Sequence, residues 1–464
     1  MGACGKCCSC LKCFFLILVF MVCLFVVPLT RDPLMFETHK RADNLPVFMA
    51  GFMLRMLGWL CSCSPSLATD GKQGFLTCVK DSMTDDNALL YGWNPGFGVS
   101  MMDNKDIGPI AFGHAAYKQI TYDTTMGRTP NKLSKLDLTT GVMSPGMDKL
   151  PINFATGDPE WVKRRTLIVD SFPSLLEKPP VATDIVTPKG VHSTAFASER
   201  AIQDFVGLNL FKQLFEADVS AELDCMNEYD DLIKKAFAAG SGSAISAIGG
   251  LEKLEKCRQA LYARVADTAP AQNMMAAAGK LGYDGKTRII DFIWILMFAG
   301  YGGTGDLTIG TFNMVRRNPE KMLKLYRKDP DVFLLESARL NPPVGGQNPS
   351  VLTQNFTIQN VDGTPRTFQP GTWTGVLTSG ANRDPTLYPD PYEFKPDRAN
   401  LDRILTWNAE LRDIRKCKNT AGFPSCKEAP RPCPGTWLAL RTAKAAIAFF
   451  MDGVEKSLGK KGEL

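Results

Sequence analysis

Histidine is scarce in this chain. There are three in 464 residues: His39, His114 and His192. They lie far apart and lack metal-ligand spacing, so each is read as a surface or packed residue rather than a ligand. Concentrated charge is also lacking. A net charge of +5 is spread along the sequence without a basic block, which argues against a nucleic-acid partner. The fourteen cysteines are uneven: Cys4, Cys7, Cys8, Cys10 and Cys13 crowd the N-terminus. The others form no dense framework, which suits a reduced cytosolic face better than a disulfide-stapled one. Long uncharged runs are few. Phe14 to Thr30 is the clearest, apolar throughout Phe14 to Val27, at the short end of what spans a bilayer. It is read as a signal anchor, with a cleaved signal peptide as the alternative. Its neighbouring cysteines suit S-palmitoylation, whereas Lys6 breaks the myristoylation pattern begun at Gly2. Lys6 and Lys12 before the run are balanced by Arg31, Lys40 and Arg41 after it, so orientation stays open.

What is present is enough apolar material, 45% of residues, for a large core. Val47 to Leu60 is apolar but interrupted by Arg55; it reads as a membrane-surface stretch, an access path or a packed helix. Gly96 to Met102 reads as a strand entering a turn. Asp158-Pro159-Glu160-Trp161 opens a helix with Asp158 as cap and Pro159 in its first position. Glu199 to Glu216 has Ile202, Phe205, Val206 and Phe211 at inward spacing. Ala238 to Ala244 and Gly249-Gly250 read as a flexible loop. Asn355-Phe356-Thr357 is a glycosylation sequon that matters only if the body faces a lumen. Lys461-Gly462-Glu463-Leu464 departs from the retention tetrapeptide at its second position.

The chemistry concentrates near Ala429-Pro430-Arg431-Pro432-Cys433-Pro434-Gly435, which runs into a helical pattern over Thr436 to Leu458. Cys433 sits between a proline-flanked loop and a helix start, where unpaired N–H groups favour a thiolate. Such a sulfur is a good soft ligand for iron. Gly435 leaves room for a flat macrocycle. Trp437, Leu438, Ala443, Ile447, Phe450 and Val454 mark the buried side of that helix. Upstream, Glu336 and Arg339 lie three apart on a helix that ends at Pro342-Pro343, so both charges share a face. Asn382-Arg383-Asp384-Pro385 follows, then Tyr388-Pro389-Asp390-Pro391-Tyr392-Glu393-Phe394-Lys395-Pro396-Asp397-Arg398.

In this order the three blocks resemble the cytochrome P-450 family, the haem-thiolate enzymes, from about Trp161 to the C-terminus. The resemblance implies a mainly α fold with a small β region near residues 350 to 380, in one large domain behind the membrane anchor. Its boundaries would be 1–30 for the Cys-rich segment and anchor, 31–70 for a linker with the membrane-associated stretch, and 71–464 for the catalytic domain. It implies haem b with Cys433 as axial ligand to iron, and a structural triad of Glu336, Arg339 and Arg398. Trp161, Arg165 and Arg431 would hold the cofactor, the arginines through its propionates.

The central helix would run through Ile289 to Thr308. Monooxygenases of the family carry Ala-Gly-x-acid-Thr there, the acid and hydroxyl relaying protons during dioxygen activation. Ala299 and Gly300 match, but Gly302 and Gly303 replace the acid and the alcohol; Thr304, one position late, would take the role only through a local bulge. Phe298, Tyr301, Gly302 and Gly303 instead resemble the plant-type fatty-acid hydroperoxide branch: allene oxide synthases, hydroperoxide lyases, divinyl ether and epoxyalcohol synthases. That branch carries Asn where Ala299 stands. Its substrates bring their own peroxide bond and need no reductase. The cysteine loop departs from the family too, with Cys426 and Ala429 in place of Phe and Gly, and an insertion over Asn408 to Pro424.

The first expectation is therefore a membrane-anchored enzyme of the endoplasmic reticulum or another endomembrane. It would rearrange or cleave fatty-acid hydroperoxides, with Ala299, Gly300, Gly303 and Thr304 lining the reaction centre. The alternatives are a reductase-dependent monooxygenase of lipids or small apolar molecules, and a non-catalytic haem or lipid binder.

Overall fold

The computed structural model describes residues 89–91, 109–111, 113–122, 158–176, 185–193, 197–239, 250–344, 346–351, 354–359, 365–371, 373–384, 386–391, 393–417, 426 and 428–459. The N-terminal anchor, the apolar stretch Val47 to Leu60, the Gly96 to Met102 strand, the loop after Ala239 and much of the insertion lie outside them.

Within these residues helices dominate. They are α1 (His114–Tyr122), α2 (Pro159–Ser171), α3 (Glu199–Phe215), α4 (Leu223–Ala239), α5 (Gly250–Val265), α6 (Ala269–Lys280), α7 (Gly285–Ile295), α8 (Gly303–Arg317), α9 (Pro319–Lys328), α10 (Pro330–Leu340) and α11 (Thr436–Gly459). The start signals act as expected: the Asp158 side chain accepts from Glu160 N ahead of Pro159, and Ser198 accepts from Ala201 N to open α3. Ile202, Phe205, Val206 and Phe211 of α3 are fully buried, as are Ala443 and Phe450 of α11. Phe205 stacks on Phe449 and meets Phe450 edge-on, which joins α3 to α11.

The β portion is small. Strands β1 (Leu89–Tyr91), β2 (Pro109–Ala111), β3 (Gly346–Val351) and β6 (Trp373–Leu377) form a sheet in the order β1-β2-β6-β3, while β4 (Phe356–Gln359) and β5 (Pro365–Phe368) form a separate hairpin. The register of edge strand β3 against β6 slips between Gln347 and Ser350, where Pro349 has no N–H to give the ladder.

Helices α7 and α8 are one rod interrupted by a π-helical turn, Leu296–Gly302. Gly285–Arg317 is long and apolar enough to cross a bilayer by length and composition alone. It is nonetheless the core helix: Phe292, Ile293, Trp294, Met297, Leu307 and Phe312 are all buried. Gln203 of α3 explains where the π turn forms. Its Nε2 donates to Tyr301 O, and its side-chain oxygen would lie within 2.0 Å of a Cβ at Gly305. A side chain lodged against the carbonyl ladder is a recognised cause of such irregularity. Gly207 is equally tight, since a Cβ there would meet the Tyr301 ring at 2.6 Å.

Two disulfides, Cys225–Cys257 and Cys417–Cys426, correct the expectation of unpaired cysteines. The first ties α4 to α5; the second closes the insertion ahead of Cys433. The first pair is separated by 32 residues and the second by 9, and neither spacing forms a motif.

The insertion also holds a buried carboxylate. Glu410 is fully buried and receives Lys118 at 3.0 Å, Arg403 at 3.1 Å and Arg412 at 2.6 Å, while Lys118 also reaches Asp413 at 3.0 Å. Burial alone would raise both carboxyls, but these bonds, with Tyr122 and Lys416 on Asp413, outweigh it and hold both below their ordinary values. His114 packs beside them with its Nε2 donating to Arg403 O at 2.9 Å. Burial, only partly offset by that bond, lowers its pKa, so it is held neutral. The sign is the same for all three groups. Below 6.5, the ordinary value for His114, the unfolded chain takes up a proton that the folded chain refuses. The carboxylates' contribution is complete above their ordinary values and is lost as pH falls through the lowered ones. The thermal midpoint should therefore fall from about pH 7 to below about pH 4, and the acid end of that fall should flatten in Glu410→Gln.

Candidate functional site

The sequence blocks converge on the loop that presents Cys433. On α10, the Arg339 guanidinium grips the Glu336 carboxylate with two bonds, 2.7 Å and 2.8 Å, both side chains wholly buried. Arg398 adds its Nε at 3.1 Å and Lys395 its backbone N–H at 2.9 Å to the same carboxylate. Arg339 also donates to the carbonyls of Asn382 and Pro391, and Arg398 to those of Pro389 and Asp390. The two arginines thereby bind the second and third blocks to α10.

From there the path to the cysteine is short. Asn382 accepts the Leu405 N–H at 2.8 Å and donates to Thr406 Oγ1 at 3.0 Å; Thr406 donates in turn to Ala338 O. One residue on, Trp407 O accepts the Cys433 N–H at 2.9 Å. The other side of the loop is anchored by α11, where the Thr436 hydroxyl donates to Cys433 O at 2.7 Å.

Trp161, Arg165 and Arg431 also come together. The Trp161 indole is buried, with the Arg431 guanidinium 4.9 Å and that of Arg165 5.3 Å from its ring centre. Arg165 donates to Pro432 O, next to the cysteine. Burial pulls Arg165 down to about 10, against the opposing pull of the Cys433 sulfur; it stays a cation at neutral pH. Cys433 is the one free cysteine among the described residues. Its thiol corrects an expectation. Burial pushes it up, and the Gly435 backbone bond with the Arg165 charge only partly opposes this. The helix start alone therefore does not make the thiolate; a coordinated cation would complete it.

One side of the central helix forms an accessible wall. Ala299 is exposed, and Gly300 and Gly303 are partly so, amid buried neighbours; a Cβ at Gly303 would meet nothing within 4 Å. Thr304 points elsewhere. It is buried at 2% exposure, and its hydroxyl has no hydrogen-bond partner. The bulge that would bring Thr304 into play is present as the π turn, yet the side chain is packed away. Gly302 opens on the opposite side, where its missing Cβ would sit 3.0 Å from Asp230 Oδ1 of α4. Tyr301 Oη donates to Asn227 at 2.7 Å on the same helix.

Sequence reasoning missed Asp230, Asn382 and Glu410. Asn382 stood inside a quoted block, but its role depends on contacts with residues 405 and 406. Asp230 and Glu410 had no motif at all. A surface cleft between α9 and α11, lined by Glu320, Lys324, Arg327 and Glu455, shares no residue with the cysteine site.

No protein-family model matches the chain. In sequence it is 28% identical over 180 residues to "Probable cytochrome P450 28c1" of Drosophila melanogaster, covering 34% of each chain. It is 27% identical over 207 residues to dihydromonacolin L monooxygenase mokC of Monascus pilosus, covering 40% of this chain and 35% of that one. The chain thus matches about a third of the length of these curated relatives. In fold it resembles epothilone D-bound cytochrome P450epoK, with a TM-score of 0.51 at 15% identity, covering 79% of this chain and 86% of that one. That fold implies haem with an axial cysteine thiolate, and the residues fit it. A soft sulfur stands on a braced loop, two guanidiniums, groups that pair with carboxylates, lie at the Trp161 ring beside it, and Gly303 of the central helix faces open space.

Removing the charge that braces this loop should be costly. Glu336→Gln leaves Arg339 buried without its anion, and we expect a loss of about 3–5 kcal/mol in chemical unfolding, with haem retention falling alongside.

Proposed function

We propose that this chain, which carries the cytochrome P450 fold and cytochrome P450-like sequence over its matched segment, is a haem-thiolate enzyme that rearranges or cleaves fatty-acid hydroperoxides. The observation that carries this reading is the accessible wall of the central helix. Ala299 and Gly303 occupy it, and neither has a proton to give. Activating dioxygen needs protons delivered to a distal oxygen. A substrate that already holds an O–O bond needs none, because bound haem supplies the one-electron chemistry that opens it. The roles of the chain's own residues follow. Cys433 ligates iron. Arg165 and Arg431 hold the propionates. Trp161 positions both guanidiniums. Gly303 leaves room for a long apolar acyl chain, while Glu336, Arg339 and Arg398 keep the loop in place. No reductase partner is required.

A second reading, a reductase-dependent monooxygenase of lipids or small apolar molecules, is favoured by one arrangement. Asp230 fills the notch at Gly302 and Thr304 keeps an unpartnered hydroxyl one residue beyond Gly303. Together they restore an acid and an alcohol close behind the wall.

Haem-loaded protein mixed with a polyunsaturated fatty-acid hydroperoxide, without reductase or NADPH, should consume the conjugated diene rapidly. Cys433→Ala should abolish this and lose the thiolate-type haem spectrum. Turnover seen only with reductase would overturn the first reading. Gly303→Val checks that this wall lines the substrate site, since its side chain enters open space. Folding should be retained while hydroperoxide turnover drops by about tenfold or more, as expected when a reacting atom is displaced by about 1 Å.

A further inference from the structure

The cysteines that do not serve the site carry information about where the protein matures. The described residues include five cysteines. Four are paired, Cys225 with Cys257 and Cys417 with Cys426, and the fifth is Cys433. In both pairs the Cα atoms are 5.5 Å apart, within the narrow range that a disulfide demands. Two pairs meeting that demand, with Cys433 the one cysteine left over among the described residues, is the pattern of a chain folded in an oxidising compartment; in the cytosol thiols are kept reduced.

An independent feature points the same way. Asn355-Phe356-Thr357 places its acceptor at the entrance to β4, where both Asn355 and Thr357 are exposed. The hairpin stands apart from the main sheet. Thr357 is held in place by its hydroxyl against Thr367 Oγ1 at 2.8 Å and by its carbonyl, which accepts from Gln119. A bulky saccharide on Asn355 would project into solvent without disturbing the core.

We propose that the body of this chain faces an oxidising, oligosaccharide-transferring compartment and that Asn355 carries an N-linked glycan there. In the transfer, the amide nitrogen of Asn355 bonds to the anomeric carbon of a lipid-pyrophosphate-linked oligosaccharide. The carbon–oxygen bond to the pyrophosphate breaks, and the amide gives up one proton. Each disulfide forms as two thiols pass two electrons and two protons to a protein disulfide of an exchange partner, which leaves as the dithiol. This inference does not depend on which haem chemistry the enzyme performs.

The test is expression of the full chain with its own N-terminus in eukaryotic cells. Peptide N-glycosidase should shift the wild type and Thr357→Ser to lower mass. Asn355→Gln should run at the deglycosylated position before treatment, and haem loading should be equal in all three. Unreduced digests should contain linked peptides joining residues 225 to 257 and 417 to 426. A chain that glycosidase does not shift overturns the glycan, even if the disulfides are found. Alkylation of the four cysteines without prior reduction overturns the oxidising compartment.

Discussion

The Glu336 carboxylate is the constraint on which the reactive end of the molecule rests. A fully buried anion is expensive unless every lone pair is satisfied. Here the cost is met by two arginines and a backbone N–H drawn from two separate stretches of chain. Because each arginine also binds carbonyls of the neighbouring loop, the charge organises backbone rather than merely pairing. Asn382 carries this order to residues 405 and 406, and the Trp407 carbonyl carries it to Cys433. An ion pair at the protein surface would be worth little; a buried one set in this way acts as a fixed point.

The site is built on opposed electrostatic tendencies. Arg165 is pulled below its ordinary value, and the Cys433 thiol is pushed above its own by burial. Each would be eased by a charge it does not carry itself. A macrocycle with a central cation and an acidic edge supplies both in one body. A coordinated cation would ease the buried thiol and so couple the shape of the loop to occupancy.

Much of this was legible in the sequence because the relevant signals are short and local. Asp158-Pro159 announces a helix start by capping chemistry, the spacing of Glu336 and Arg339 puts them on one face, and Pro342-Pro343 ends their helix. Cys433 is marked by its flanking prolines and by Gly435. What could not be read depends on contacts between distant residues. Glu410 joins Lys118 to Arg403 and Arg412, and Asp230 approaches a glycine on another helix. The two disulfides belong here as well, since nothing in the spacing of Cys225 and Cys257 says that α4 and α5 lie side by side. The thiol of Cys433 was misjudged because helix-end electrostatics is a local argument and desolvation is not. The sequence names a local bulge only as the condition for Thr304 to act, and its place in the central helix is set by Gln203 of a different helix.

That turn has a consequence for comparing this protein with others. A π turn accommodates one residue more than an α turn over the same rise, so side chains after Gly302 are rotated relative to a chain of regular helical pitch. Matching residue for residue through this segment therefore equates positions that point in different directions. The spatial counterpart of a side chain in a relative without the turn is found only if one residue is skipped between Leu296 and Gly302. Substitutions designed by transfer from such a relative would otherwise place their side chains on the wrong face of the rod.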